Sequence, residues 1–229
     1  MPRAAISLDP RLETIAALCG SCNLLADIGT DHGRLGAYML QTGLCKTVQF
    51  TDISEPSLMK AKRLLATLGI ADQARFLVGD GALALEQSPD TAVIAGMGGE
   101  TIADIISRGR TMLADARIVV QPNVAVEVVR RQLCASGYSI CDERIVRDGR
   151  RLYAVIAVEP GDMKLDEFQL TVGPVLMEQK PDTLFDYADF RLRVARKALA
   201  GAEAGGHGGA QLRREIGIWE EVAAWRRHG

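Results

Sequence analysis

The sequence predicts an α/β protein built on a doubly wound, mainly parallel sheet. Three observations carry that expectation. Short apolar runs alternate with segments of helical periodicity from Asp9 to Gly137. Most of the runs end in an acidic residue or a glycine-bearing turn, as a buried strand does when it delivers its carboxyl end to a tight connection. Two further runs then flank Asp148-Gly149, a hairpin signal that breaks the alternation and adds an antiparallel pair.

The elements follow in order. Asp9 caps and Pro10 opens a first helix, with Leu12, Ile15, Ala16 and Cys19 on one face and Gly20 as its stop. Asn23 to Ile28 is strand one, and a helix from about Leu35 to Gln41 ends near Gly43. Thr47 to Thr51 is strand two, ending at Asp52. Ser54-Glu55-Pro56 starts a helix whose buried stripe is Leu58, Ala61, Leu65 and Leu68. Arg75 to Val78 is strand three, followed by Gly79-Asp80-Gly81. Thr91 to Ala95 is strand four, followed by Gly96-Met97-Gly98-Gly99 and a helix carrying Ile102, Ile105 and Ile106. Arg117 to Val120 is strand five, ending in Gln121-Pro122-Asn123, and a helical pattern runs from Val126 to Leu133. Tyr138 to Arg147 and Arg150 to Val158 close the sheet. Alternating strands and helices require a sheet covered on both faces.

After Pro160-Gly161 only helical patterns remain. Leu165 to Lys180 contains Gly173-Pro174. Phe185 to Leu199 carries an apolar stripe flanked by arginines, Gly201 to Ala210 reads as a break, and Gln211 to Arg227 is amphipathic. Two helices joined by a short loop make a hairpin. The expected domains are therefore 1–160 and 161–229.

Composition bounds the function. The chain has 229 residues, 24% of them charged, with a net charge of −2, so a nucleic-acid role needs a local basic surface rather than a basic protein. Five cysteines do not make a disulfide scaffold, and Cys19-x-x-Cys22 lacks the second pair a zinc site needs; no metal is expected. No apolar stretch has the length of a membrane span or the form of a secretory leader. A reduced, cytoplasmic protein is expected, a monomer in preference to an oligomer.

The strand ends carry the chemistry. Asp27 and Gly29, Asp52, Asp80 and the stretch Gly96 to Gly99 all fall at one edge of the sheet, where open α/β sheets bind ligands. The first turn reads Asp-x-Gly-x-x-x-Gly, not the dinucleotide Gly-x-Gly-x-x-Gly, and no triphosphate-binding loop occurs. An acidic residue after strand two suits ribose hydroxyls, and Asp80-Gly81 suits an adenine amine. Gly29 and Gly33 leave room for a methionine moiety. Each Asp alone also reads as a helix cap; the three together point to S-adenosylmethionine. A five-strand doubly wound unit closed by an antiparallel hairpin is the order of class I methyltransferases.

The segments Leu8-Asp9-Pro10-Arg11-Leu12, Ala26-Asp27-Ile28-Gly29-Thr30-Asp31-His32, Gly79-Asp80-Gly81, Ala95-Gly96-Met97-Gly98-Gly99 and Gln121-Pro122-Asn123 resemble the bacterial tRNA N1-adenine methyltransferases of the TrmK family. The resemblance covers residues 8 to 158. It implies a class I methyltransferase domain, S-adenosylmethionine as donor, tRNA as partner, one adenine at the D-stem/D-loop junction as target, and a coiled-coil-like C-terminal domain that helps hold tRNA. Where that family usually continues Ala-Tyr-Leu-Pro, this chain has Gly33-Arg34-Leu35-Gly36.

The donor-binding candidates are Asp27, Gly29, Thr30, Gly33, Asp52, Ile53, Asp80, Gly81, Gly96 and Met97. Adenine N1 has its own lone pair, so in-line placement and stabilisation of the cationic product are most of the catalysis. Asp31 is the first candidate for the stabilising carboxylate, His32 for positioning and Asn123 for the adenine edge; helix capping is the competing reading for Asp31 and Asn123. Arg191, Arg193, Arg196, Lys197, Arg213 and Arg214 are the phosphate candidates, with Arg226 and Arg227 beyond them; Glu215, Glu220 and Glu221 nearby allow a plain solvated face instead. A small-molecule methyltransferase and a non-catalytic binding protein of the same fold are the alternatives.

Overall fold

The computed structural model describes residues 5–205 and 209–226. It divides into two compact units, Met1–Lys164 and Leu165–Gly229.

The first unit runs α1 (Pro10–Cys19), β1 (Cys22–Ile28), α2 (Arg34–Gln41), β2 (Cys45–Asp52), α3 (Glu55–Leu68), β3 (Ala74–Val78), β4 (Thr91–Met97), α4 (Gly99–Arg108), α5 (Arg110–Leu113), β5 (Arg117–Pro122), α6 (Val126–Ala135), β6 (Tyr138–Asp148) and β7 (Arg151–Pro160). The strands form one seven-stranded sheet in the order β3-β2-β1-β4-β5-β7-β6. β1 to β5 pair in parallel, and β7 runs antiparallel to both β5 and β6. The short helix α5 has no signal in the sequence pattern. The hairpin turns at Gly149-Arg150, one residue later than Asp148-Gly149, because Asp148 still pairs with Arg151.

The local signals account for the helix ends. The Asp9 carboxylate accepts from the Leu12 N–H at 2.8 Å, with Pro10 in the first turn. Ser54 caps α3, and Gly69 closes it in the left-handed region. Leu58, Ala61, Leu65 and Leu68 are buried as their spacing requires. On one face of the sheet Leu25, Val48, Phe50, Val93, Val119 and Val155 share a core with Ile15, Leu35, Met39, Leu58 and Leu65. Elsewhere α4 packs on β4, β5 and α6. A fully buried ion pair, Arg130 to Glu143 at 2.7 Å, ties α6 to β6.

The second unit contains α7 (Glu167–Val172), α8 (Pro174–Gln179), α9 (Asp182–Ala204) and α10 (Ala210–Trp225). α9 continues through Gly201 to Ala204, so the break predicted over 201–210 is shorter; residues 206–208, like Arg227, lie outside the described residues. α9 and α10 are antiparallel: Glu203 pairs with Arg213 at one end and Asp186 with Arg226 at the other. Trp219, 0% exposed, meets the edge of Tyr187 with ring centroids 5.6 Å apart. Among the described residues no helix is long and apolar enough to cross a membrane.

Candidate active site at the carboxyl edge of the sheet

In the sheet order, β1 lies between β2 and β4, so the connections leaving β1 and β4 run in opposite directions. At that switch point opens a cleft of about 360 Å³, walled by Asp27 to Leu35 after β1, by Ala95 to Met97 at the end of β4, and by Asp9, Arg11 and Leu12 of the α1 start. Of the sequence candidates, Asp27, Gly29, Thr30, Asp31, His32, Gly33, Gly96 and Met97 are brought together here.

The floor is made by backbone. Gly29 has φ 74°, and its N–H donates to the Thr51 carbonyl at 2.7 Å. The pairing of β4 with β5 slips between Ala95 and Met97, at Gly96 with φ 81°. Such a bulge re-aims the following side chain. Met97 is thereby turned across Gly29, and a Cβ on Gly29 would fall 1.8 Å from Met97 Cε. Gly33 has a different reason for being glycine: at φ 65° its Cβ would fall 2.6 Å from the Ala61 Cβ of α3. Helix packing, not space for a ligand, explains that glycine, although it also borders the cleft.

Asp27 is 7% exposed and accepts from the Thr30 hydroxyl at 3.3 Å; that hydroxyl in turn accepts the Gly33 N–H at 3.1 Å. Burial pushes the Asp27 carboxyl up to about 6, against the pull of the Gly36 N–H and the Thr30 hydroxyl. Asp31 and His32 are exposed at the lip. Asp31 accepts from Lys60 Nζ at 2.9 Å and lies 2.6 Å from His32 Nδ1. The Lys60 contact, more than His32, holds the Asp31 carboxyl below the usual aspartate value. Asp31 caps nothing: the N-cap of α2 is Gly33, without a side-chain bond.

Asp52, Ile53, Asp80 and Gly81 stand on the next two strand ends, outside the walls of that cleft. Asp52 accepts from the Ser54 N–H at 2.7 Å. Ile53 is 77% exposed. Asp80 also caps no helix through its side chain; it pairs with Arg108 of α4 at 2.7 Å. Arg108 carried no signal in the sequence, since only the turn of α4 brings it to β3. Gly81 lies against Ile105.

Asn123 is not a helix cap either: the residue before α6 is Ala125, and no side chain caps that helix. The Asn123 amide nitrogen donates to the Gly96 carbonyl at 2.7 Å, and its oxygen accepts from Gln121. Arg11 and Gln121 lay inside motifs of the sequence, but nothing in the pattern gave them a role.

The phosphate candidates divide. Arg191 is largely buried, pairs with Glu215 at 2.6 Å and lies over the rings of Tyr187 and Trp219. Burial opposes its charge, but Tyr187 and Glu215 more than offset that and raise its pKa. Arg191 is thus a packing residue of the helix pair, not a free cation. Arg196 and Arg213 pair with Glu220 and Glu203. Arg193, Lys197 and Arg214 are exposed and form no ion pair among the described residues.

The sheet order, the closing antiparallel strand β7 and an acidic row at the strand ends without a triphosphate loop define a class I methyltransferase. Residues 8–156 match the family described as "Methyltransferase domain". The Bacillus subtilis (strain 168) tRNA (adenine(22)-N(1))-methyltransferase is 30% identical over 183 residues, 76% of this chain and 77% of that one. The crystal structure of the B. subtilis enzyme, TrmK, superposes with a TM-score of 0.84 at 26% identity, covering 95% of this chain and 99% of that chain. A Streptococcus pneumoniae structure in complex with S-adenosyl-L-methionine superposes with a TM-score of 0.85 at 25% identity, over 95% and 100% of the two chains. The chain belongs to the TrmK family of tRNA (adenine-N1)-methyltransferases.

Proposed function

We propose that this protein transfers a methyl group from S-adenosylmethionine to N1 of an adenine at the D-stem/D-loop junction of tRNA. The observation that carries the reading is its likeness to the B. subtilis relative over 76% of this chain and 77% of that one. The cleft agrees with it: its volume lies in the range of small-molecule sites, roughly 300–1,000 Å³. Gly29 lies in its floor at φ 74°, and Asp27 and Asp31 give its walls the acceptors a donor amine needs, with Asp52 on the next strand end for the ribose.

S-adenosylmethionine would supply a methyl group on a sulfonium centre: the N1 lone pair would attack the methyl carbon as the S–CH3 bond breaks, and the thioether S-adenosylhomocysteine would leave. This chain's residues do the rest. Asp27 and Thr30 hold the methionine end, with Gly29, Gly33 and Gly96 as walls. Asp52 accepts from ribose hydroxyls, Ile53 covers the adenosine, and Asp80-Gly81 faces its amine. The target adenine leaves its stack to enter the site. Met97 lines its pocket, Asn123 accepts from its 6-amino group and His32 positions it. Asp31, a carboxylate whose pKa Lys60 lowers further, stabilises the positive charge that methylation puts on the base. Arg193, Lys197 and Arg214 contact phosphates.

The test is mass spectrometry of nucleosides from unmodified tRNA incubated with protein and donor. The expected product is 1-methyladenosine from one position. Methyl groups on another base, or only on metabolites of a cell extract, would refute the reading.

A further inference from the structure

Arg11, Gln121 and Asn123 meet in one directed chain of hydrogen bonds. Arg11 Nη1 donates to Gln121 Oε1 at 2.8 Å, Gln121 Nε2 donates to Asn123 Oδ1 at 3.1 Å, and Asn123 Nδ2 donates to the Gly96 carbonyl at 2.7 Å. Its direction is forced at both ends, because a guanidinium can only donate and a backbone carbonyl can only accept. Gln121 must therefore turn its oxygen to Arg11, which leaves its NH2 for Asn123. Asn123 must turn its oxygen to Gln121. Neither amide flips without setting donor against donor and acceptor against acceptor.

The surroundings hold the chain in place. Gln121 is 0% exposed, so water does not replace a lost partner there. Arg11 lies over the Tyr153 ring at 5.6 Å. The turn bearing Asn123 is clamped to the turn bearing Met97: Asn123 N–H donates to the Met97 carbonyl at 2.8 Å and Gly99 N–H to the Val124 carbonyl at 3.0 Å. Ala125 keeps φ 54°, and a Cβ on Gly99 would fall 2.2 Å from the Ala125 oxygen. The Asn123 side chain itself is exposed, and its bond partner Gly96 lines the cleft.

We infer that Gln121, anchored by Arg11, is a positioning residue for methyl transfer, which fixes the end of the Asn123 carboxamide that meets the adenine edge. The inference rests on the proposed function. In the fixed orientation Asn123 Oδ1 keeps a second lone pair for the 6-amino group. A flipped amide would present NH2 to NH2 and push the base out of line with the donor, where small misplacements cost much of the rate.

The experiment is steady-state kinetics on tRNA with the full chain, alongside donor Kd by calorimetry. Gln121→Met keeps the side-chain length and removes both hydrogen bonds. Its kcat should fall by about tenfold or more while donor Kd and tRNA KM stay within about twofold of wild type. Asn123→Ala should lose a similar factor, and the double variant should lose no more than the worse single, because Gln121 acts through Asn123. Gln121→Glu keeps the anchor to Arg11 but offers Asn123 only acceptors, so it should also lower kcat; it carries the same comparison if Gln121→Met does not fold. An unchanged kcat in a folded variant, losses that multiply in the double variant, or a loss confined to donor Kd would each overturn the inference alone. A wild-type protein that makes no 1-methyladenosine would overturn the proposed function, and this inference with it.

Discussion

Met97 Cε stands where a side chain on Gly29 would begin, 1.8 Å from the place of its Cβ. Two strand ends, β1 and β4, thus close one site by leaving out a side chain on one and swinging a flexible one in from the other. Gly29→Ala should destabilise the protein by about 1–3 kcal/mol, chiefly through φ 74° and to a smaller extent through the clash, since the flexible end of Met97 can swing aside. It should also weaken donor binding. Adding Met97→Ala should recover only the clash, since the backbone strain stays. Urea unfolding of the two variants measures the split, and equal stability of Gly29→Ala and wild type would contradict it.

Asp27 gives the fold a pH dependence of defined sign. Its carboxyl moves from the ordinary 3.8 to about 6 in the folded protein, chiefly by burial. Between those values the folded state binds the proton more tightly than the unfolded chain, so its contribution is full below 3.8 and is lost as pH rises through about 6. Asp27→Asn should therefore be more stable than wild type near neutral pH, by about 1–3 kcal/mol, and not below about pH 4. Unfolding curves at both pH values check it; a constant difference between the two proteins would remove burial as the cause.

Asp52 is expected to bind ribose, but it also accepts from the Ser54 N–H. Asp52→Ala removes both roles, whereas Asp52→Asn keeps a carbonyl for Ser54. If the carboxylate binds hydroxyls, each variant should weaken donor binding by about 1–3 kcal/mol. Calorimetry with Asp52→Asn at wild-type affinity would reduce Asp52 to a turn residue.

Asp31→Ala should leave donor affinity nearly intact and lower methyl transfer strongly. This exposed carboxylate is ionised near neutral pH in any case and the Lys60 contact lowers its pKa further, so the Asp31 contribution should not titrate between about pH 5 and 8. Lys60→Met should let it titrate higher. Turnover of Asp31→Ala near wild type at saturating tRNA would leave it as an exposed ion-pair residue.

Much of this was legible because strands and turns write themselves locally. Val93, Ile94 and the glycines after them announce β4 and its turn, and Leu58, Ala61, Leu65 and Leu68 announce α3. Relations between distant segments were not legible. Arg11 and Gln121 are 110 positions apart, and only the packing of α1 against β5 joins them. Arg108 reaches Asp80 because α4 turns it there. Gly33 looked like a ligand-facing glycine, but its neighbour is Ala61, another helix's methyl group. In the second unit, charge alone could not separate a buried Arg191 from an exposed Arg193 two residues on, since helix phase and the partner Glu215 decide it.

That separation yields the last prediction. Arg191, held by Glu215 and by two rings, should matter for stability: Arg191→Ala removes an ion pair and two cation–π contacts and leaves Glu215 unpaired. It should lower the melting temperature of the helix pair and change tRNA affinity only as far as the fold loosens. Arg193, Lys197 and Arg214 have no such partners among the described residues, so their replacement should leave melting within about 0.5 kcal/mol of wild type. If they contact phosphate, each replacement should weaken tRNA binding for every tRNA sequence alike and reduce the slope of log K against log salt by about one. The slope is the deciding measurement. An exposed cation that merely keeps the helix soluble would leave it unchanged, and if all three replacements together did so, tRNA phosphates would have to be met by other residues.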